Sequence, residues 1–142
     1  MKALVVYDSM YGNTKQVAEE IAGKLGKGVK AWSAEEVKEK DLTGLDLLVV
    51  GSPILGWKPS EKTAAFLSSL KPGQLKGMQV AAFDTRIRLF IHGDAARKIA
   101  AALQNAGGKL VGEPTGFIVE GTQGPLASDA LQKAAEWAET LK

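Results

Sequence analysis

The sequence predicts a doubly wound α/β fold, in which helices cover both faces of a parallel β-sheet. Nearly continuous apolar runs at 2–7, 46–51 and 78–84 have the composition of parallel strands that are buried on both faces. A segment whose apolar residues recur every three or four positions follows each run, as expected for a helix that packs on a sheet. Strands and helices that alternate in this way, joined by right-handed crossovers, form a doubly wound sheet.

Two weaker strand signals, at 29–33 and roughly at 109–119, complete a predicted five-stranded parallel sheet. The chain of 142 residues contains no repeat, no low-complexity tract and no long linker. We therefore expect a single domain over residues 1–142 with a core of its own.

The helices are predicted from apolar periodicity and from residues that can cap them. The first is expected over 14–26, with Asn13 as its N-cap and Gln16 completing a capping box. Its apolar residues recur every four positions: Val17, Ile21 and Leu25.

Three more helices follow. Ser60 and Asp94 are placed to cap helices over 61–70 and 95–106, because both side chains accept hydrogen bonds from first-turn N–H groups. The last helix is expected over 126–142, and its predicted inward face consists of four residues: Leu131, Ala134, Ala138 and Leu141.

Composition excludes several kinds of site. The net charge of +2 is too balanced to indicate a nucleic-acid partner, and the chain has no cysteine and one histidine, which argues against a metal site. No apolar run approaches the roughly 18 residues that span a membrane, so no membrane insertion is expected. The N-terminus is too short and too strand-like for a signal peptide, and we expect a cytoplasmic protein.

The most informative segment lies between the first strand and the first helix. Six residues of it are expected to bind a phosphate group: Ser9, Met10, Tyr11, Gly12, Asn13 and Thr14. Backbone N–H groups at a helix N-terminus carry partial positive charge, and hydroxyl and amide side chains add donors. An ordinary strand-to-helix turn is the alternative, but such a turn does not require hydroxyl groups at positions 9 and 14. The phosphate loops of P-loop and dinucleotide-binding proteins are absent from the sequence.

This segment resembles the FMN-phosphate loop of flavodoxins, whose pattern is Ser/Thr-x-Thr-Gly-x-Thr, with Tyr11 in place of the middle threonine. The resemblance extends over essentially the whole chain. It implies the strand order 2-1-3-4-5 and FMN at the carboxyl ends of the strands, where ligands of doubly wound sheets bind. Three segments should converge there, which we name the first loop (8–14), the second loop (52–60) and the third loop (84–93).

The second loop resembles the flavodoxin loop that covers one face of the isoalloxazine ring. Six of its residues are expected to contact FMN: Ser52, Pro53, Ile54, Leu55, Gly56 and Trp57. Leu55 holds the place of the apolar side chain that precedes a glycine in the family. The resemblance implies that the Gly56–Trp57 peptide would accept a hydrogen bond from N5 of reduced flavin. Trp57 lies beside the ring in one interpretation and packs on the helix at 61–70 in the other.

The third loop departs most from the family pattern, because the tyrosine that stacks on the ring is missing. Three of its residues are expected to contact FMN: Asp84, Thr85 and Arg86. Arg86 and Arg88 replace neutral or acidic residues of the family. Since reduced FMN is an anion, two arginines near the ring would raise the reduction potential for the second electron. In the alternative, both arginines point to solvent or pair with Asp84 and Glu61.

The resemblance implies an FMN-binding electron-transfer protein that shuttles electrons between redox partner proteins. No nucleophile and no proton-transfer pair stands out, which favours a carrier over a substrate-transforming oxidoreductase. Two alternatives stay open. One is an FMN-dependent NAD(P)H:quinone-type reductase, and the other is a flavodoxin-fold binding module without FMN.

Overall fold

A computed structural model describes residues 1–55, 58–87 and 94–142. Its strands are β1 (Ala3–Tyr7), β2 (Lys30–Ser33), β3 (Leu47–Leu55), β4 (Lys58–Pro59), β5 (Gln79–Ile87), β6 (Lys109–Leu110) and β7 (Thr115–Val119). Its α-helices are α1 (Asn13–Leu25), α2 (Glu61–Ser68), α3 (Ala95–Asn105) and α4 (Ala130–Glu139), and a short 3-10 helix lies at Glu39–Leu42.

The sheet confirms the predicted topology. Parallel strands follow one another in the order β2-β1-β3-β5-β6, and β7 also pairs with β5. Because β6 and β7 lie along the same side of β5, they share the edge position that was predicted for the fifth strand. The two-residue strand β4 pairs with the end of β3 in the antiparallel sense.

Two apolar cores lie on opposite faces of the sheet, which explains why the strand sequences are nearly continuous apolar runs. Neighbouring residues of β1 belong to different cores: Val5 packs with α1 and α4, and Val6 packs with α2 and α3. On the first face Ile21 is completely buried, and on the second Ile99 is. Both faces of a parallel strand are thus covered by helices, as the composition predicted.

The central strands β3 and β5 are longer than predicted. They were expected to end at residues 51 and 84, but β3 reaches Leu55 and β5 reaches Ile87. Ser52 and Asp84 are paired in register, and so are Pro53 and Thr85. The first residues of the second and third loops therefore lie in the sheet, where the hydrogen bonds of neighbouring strands hold their backbone.

The fifth predicted strand, 109–119, is interrupted. Gly112 has a φ of 70°, which lies outside the strand region, and Pro114 has no N–H to donate. The chain therefore leaves the sheet after β6 and rejoins it at β7.

The last helix is shorter than predicted, and one inward residue is wrong. It begins at Ala130 and not at 126, because Leu126 pairs with Val119 as an antiparallel bridge. Its buried positions include Ala134 and Ala138, whereas Leu131 is 36% exposed. Leu131 lies one position away from the row formed by residues 130, 134 and 138, and therefore turns toward solvent. The predicted caps of α2 and α3 are confirmed, since Ser60 and Asp94 accept hydrogen bonds from N–H groups of the first turns.

Candidate functional site

The first, second and third loops begin at the carboxyl ends of β1, β3 and β5. Since β1 pairs with β3 and β3 pairs with β5, all in parallel, these ends lie at the same edge of the sheet. The predicted convergence is confirmed for the described parts of the three loops. Strand order reverses at β1, whose neighbours are β2 on one side and β3 on the other, and such a point is where open α/β sheets bind ligands.

The first loop turns into α1 at Gly12. Its φ is 90°, a left-handed conformation that glycine adopts without the steric cost of a Cβ atom. The prediction that Asn13 caps the helix is wrong, because the chain turns one residue earlier and Asn13 is already the first helical residue. Gly12, the N-cap residue of α1, has no side chain to accept a first-turn N–H as Ser60 does for α2.

Backbone donors at the start of α1 are open. The Oγ atom of Ser9 accepts hydrogen bonds from the N–H groups of Gly12 (3.0 Å) and Lys15 (3.3 Å). Within residues 1–55, 58–87 and 94–142, no hydrogen bond uses the N–H groups of Asn13 or Thr14. First-turn N–H groups have no partner inside their own helix, and they carry the positive end of its dipole. The first loop therefore presents the donors that an anion requires.

The side chains of Asn13 and Thr14 point into the protein. Asn13 donates its amide N–H to the carbonyl of Gln123 (3.2 Å), and Thr14 shares a 2.7 Å hydrogen bond with the hydroxyl of Thr85. Both side chains are buried. Of the three polar side chains predicted to donate to a phosphate, Ser9 alone stays within the first loop; the other two connect it to the rest of the edge.

Gln123 and Gly124, in the segment between β7 and α4, also lie at this edge of the sheet. A Cβ atom on Gly124 would lie 2.9 Å from Oδ1 of Asn13, so a glycine is needed for this approach. Asn13 and Gln123 are 110 positions apart. No local pattern identifies such a contact, and the one signal is the glycine-proline pair at 124–125, which marks a sharp turn.

Apolar side chains are exposed in the first and second loops. Met10 is 58% exposed, Tyr11 48% and Leu55 37%. In the described part of the chain, the other exposed large hydrophobic residues are Met1 and Leu131. An exposed aliphatic or aromatic side chain beside open N–H donors suits a ligand that has both a phosphate and an apolar ring.

A polar cavity of about 350 Å³ borders the first loop on the side of β2. Its lining includes Ser9, Gly12 and Lys15. Glu35 and Lys62 also line it and form an ion pair, and the hydrogen bond between them raises the pKa of Lys62. The lining carries two lysines, Lys15 and Lys62, and two carboxylates, Asp8 and Glu35, so its formal charges cancel.

The second loop is held closed at its base. Ser52 is completely buried, and its Oγ atom accepts a 2.9 Å hydrogen bond from the N–H of Ser60. Further along, Ile54 and Leu55 of β3 pair with the two residues of β4. The predicted contacts of Gly56 and Trp57 lie outside the described residues.

The start of the third loop contains a buried ion pair. Asp84 is completely buried and accepts hydrogen bonds from Nε of Arg86 (2.8 Å), Nη2 of Arg86 (2.7 Å) and the N–H of Ala96 (2.9 Å). Burial raises the pKa of the Asp84 carboxyl above 3.8, although Arg86 and the Ala96 N–H act in the opposite direction. The hydrogen bond to Asp84 in turn raises the pKa of Arg86.

This pairing answers the question that the sequence left open for Arg86. The side chain of Arg86 is 15% exposed and its charge is offset by Asp84. Of the alternatives that the sequence left open, the structure therefore has the one in which Arg86 pairs with Asp84. The pairing weakens the argument that Arg86 tunes a flavin as an uncompensated charge. Arg88 lies outside the described residues.

Other kinds of site are not seen in the described part of the chain. No helix there has the length and apolarity to cross a membrane. The same residues contain no group of three or more metal-binding side chains.

Comparison with known proteins identifies relatives of the whole chain. The family model for flavodoxins matches residues 5–137. A flavodoxin from the domain Archaea is 24% identical, with a TM-score of 0.79, and the match covers 97% of this chain and 94% of that one. Oxidised flavodoxin 1 from Bacillus cereus is 18% identical, with a TM-score of 0.82 and coverage of 99% and 96%. Two-electron-reduced flavodoxin from Megasphaera elsdenii is 22% identical, with a TM-score of 0.72 and coverage of 96% and 97%. A search of curated protein sequences found no match.

Proposed function

Since the chain belongs to the flavodoxin family, we propose that it carries electrons between two redox partner proteins and holds FMN at the carboxyl edge of its sheet. Flavodoxins are FMN-binding electron-transfer flavoproteins. FMN supplies one- and two-electron chemistry when it is bound, and the protein supplies binding, orientation and electrostatics.

The observation that carries the proposal is the start of α1. The left-handed Gly12 brings the chain into the helix with the N–H groups of Asn13 and Thr14 open, and Ser9 adds a hydroxyl. These groups would hold the phosphate of FMN, together with the backbone of Met10 and Tyr11.

The flavin ring is assigned to the exposed apolar residues. Leu55 and Tyr11 would pack against it, because both present apolar surface to solvent at this edge. The backbone of residues 52–54 would supply polar contacts, and Gly56 and Trp57 complete the second loop by resemblance. Of the third-loop residues, Thr85 acts through its hydrogen bond to Thr14.

A carrier and a reductase make different use of NAD(P)H, and this difference tests the proposal. The protein, loaded with FMN and freed of excess flavin, is mixed with NADPH or NADH and a soluble quinone. We expect no steady oxidation until a separate flavoprotein reductase is added, after which electrons reach an acceptor at a rate that depends on this protein. Sustained NAD(P)H oxidation by the protein alone would contradict the proposal and favour the quinone-reductase alternative.

A further inference from the structure

Three consecutive residues at the end of β5 connect two helices. Asp84 and Arg86 lie on the side of α3, where Asp84 accepts the N–H of Ala96 in the first turn of that helix. Thr85 faces the opposite side and shares its hydrogen bond with Thr14 in the first turn of α1. Residues 84–86 therefore join the start of α3 to the first loop.

The guanidinium of Arg86 also connects β5 to the N-cap of α3. Nη2 of Arg86 lies 2.7 Å from Asp84 and 3.6 Å from Oδ1 of Asp94. Asp94 caps α3 through the N–H of Arg97 (3.0 Å). One guanidinium on β5 thus contacts a carboxylate on its own strand and another at the N-cap of α3.

Gly116 on the neighbouring strand β7 makes room for the pair. It is in register with Asp84, and a Cβ atom there would overlap the guanidinium of Arg86 and lie 2.7 Å from Oδ1 of Asp84. Its φ is not in the left-handed region, so backbone conformation does not require the glycine. The glycine is required because the ion pair occupies the space that a Cβ atom of residue 116 would take.

We propose that Asp84 and Arg86 are positioning residues for the flavin: they form a charge-compensated clasp that fixes the end of β5, and through Thr85 the first loop, in the arrangement that binds FMN. The inference rests on the proposed function, because it concerns the same cofactor. It assigns the effect of Arg86 to position, whereas the sequence suggested an effect of its charge.

The two explanations predict opposite patterns among variants. If charge acts directly, Arg86→Gln weakens binding of the FMN anion, Asp84→Asn strengthens it, and Arg86→Lys leaves it unchanged. If the clasp acts through position, all three weaken binding, because lysine cannot make the two-point contact and asparagine cannot accept three hydrogen bonds with one oxygen.

The experiment measures the dissociation constant of FMN and both one-electron midpoint potentials for the wild type and these variants. We expect the dissociation constant to rise roughly tenfold in each, which corresponds to about 1.4 kcal/mol. For each of the two potentials, we also expect the shift to have the same sign in all three variants. Each potential should move toward its value in free FMN, since a displaced binding site excludes water less well.

Two neutral substitutions keep the test valid where an ion-pair variant fails to fold. Gly116→Ala crowds the clasp without changing charge, and Thr85→Val breaks the connection to Thr14 while leaving the ion pair intact. Both should weaken FMN binding. The matched controls are Gly23→Ala, where a Cβ atom meets nothing within 4 Å, and Lys133→Gln, which removes an exposed cation.

Opposite effects of Arg86→Gln and Asp84→Asn on FMN affinity would overturn the clasp, and so would wild-type affinity in both Gly116→Ala and Thr85→Val. A wild-type protein that binds no FMN would overturn the proposed function and the clasp together. If the wild type binds FMN and every folded variant binds it with the same affinity, the clasp alone would be overturned.

Discussion

The first loop and the end of β5 lie at the same edge of the sheet, but their polar groups are used in opposite ways. At the start of α1, the N–H groups of Asn13 and Thr14 have no hydrogen-bond partner among the described residues, and Tyr11 and Met10 are exposed. At the end of β5, Asp84 and Thr85 are buried and their side chains are hydrogen-bonded within the protein.

This difference separates binding from support. A group whose hydrogen bonds are already satisfied inside the protein gains little from a ligand, whereas an open donor at a helix N-terminus gains much. Substitutions in the first loop should therefore change FMN affinity more than stability. Substitutions in the buried pair should change stability strongly and affinity only through the displacement that they cause.

The largest effect is expected from Arg86→Met. It leaves the carboxylate of Asp84 buried without its cation, and the loss of one partner from such a pair costs about 3–5 kcal/mol. Urea unfolding at neutral pH measures this loss. Lys133→Met, which breaks an exposed pair with Asp129, should change the free energy of unfolding by less than about 1 kcal/mol. Equal effects of the two substitutions would remove the distinction between the buried pair and the surface.

Gly12→Ala comes next. A non-glycine residue in the left-handed conformation costs about 1–2 kcal/mol, and a shifted Gly12 would misdirect the N–H groups that follow it. We expect a modest loss of stability and a loss of FMN affinity of about tenfold or more. Fluorescence titration with FMN and thermal unfolding measure the two effects, with Gly23→Ala in the last turn of α1 as the control. Retention of full affinity would show that the first loop does not hold the phosphate.

The cost of Arg86→Met should depend on pH. Burial already raises the folded-state pKa of Asp84 above its usual value of 3.8, and removal of Arg86 takes away a group that lowers it. A raised pKa in the folded state gives stability that is present below the unfolded pKa and is lost as pH rises through the folded pKa. The variant has the higher folded pKa, so its deficit relative to the wild type should grow from about pH 4 to pH 7. Urea unfolding across this range checks the sign, and a deficit that shrinks toward neutral pH would contradict it.

The smallest effect is expected from Ser60→Ala. It removes the N-cap of α2 and the hydrogen bond between Ser60 and Thr63, at a cost of about 1 kcal/mol. Since the Ser60 N–H still reaches Ser52, the base of the second loop should stay closed and FMN affinity should change by less than about threefold. Thermal unfolding and FMN titration of one preparation measure both effects. A large loss of affinity would move Ser60 from the supporting residues to the binding site.

The sequence predicted those features that depend on short stretches of chain. The caps at Ser60 and Asp94 and the convergence of the three loops follow from local patterns and from the rules of parallel sheets. The strand order was implied by the resemblance to flavodoxins, and the sheet has it. The turn before α1 was predicted in the right place, but its cap was assigned to Asn13 because glycine has no side chain to signal a cap.

Features that depend on distant residues were missed. The extension of β3 and β5 arises from pairing between them, and the contact of Asn13 with Gln123 joins opposite ends of the chain. The pairing of Arg86 with Asp84 was one of the predicted alternatives, but the complete burial of Asp84 and its hydrogen bond from the N–H of Ala96 were not predicted. The exposure of Leu131 follows from where α4 begins, which depends on the pairing of Leu126 with Val119.

The central claim is that the first loop binds FMN through its phosphate, and a comparison of FMN with riboflavin tests it most directly. The two ligands share the ring and differ by the phosphate, so the ratio of their dissociation constants isolates the first loop. We expect the flavin-free protein to bind FMN at least about a hundredfold more tightly than riboflavin, which corresponds to about 2.7 kcal/mol, and Gly12→Ala to reduce this ratio. Equal affinity for the two ligands, or no binding of FMN, would contradict the account.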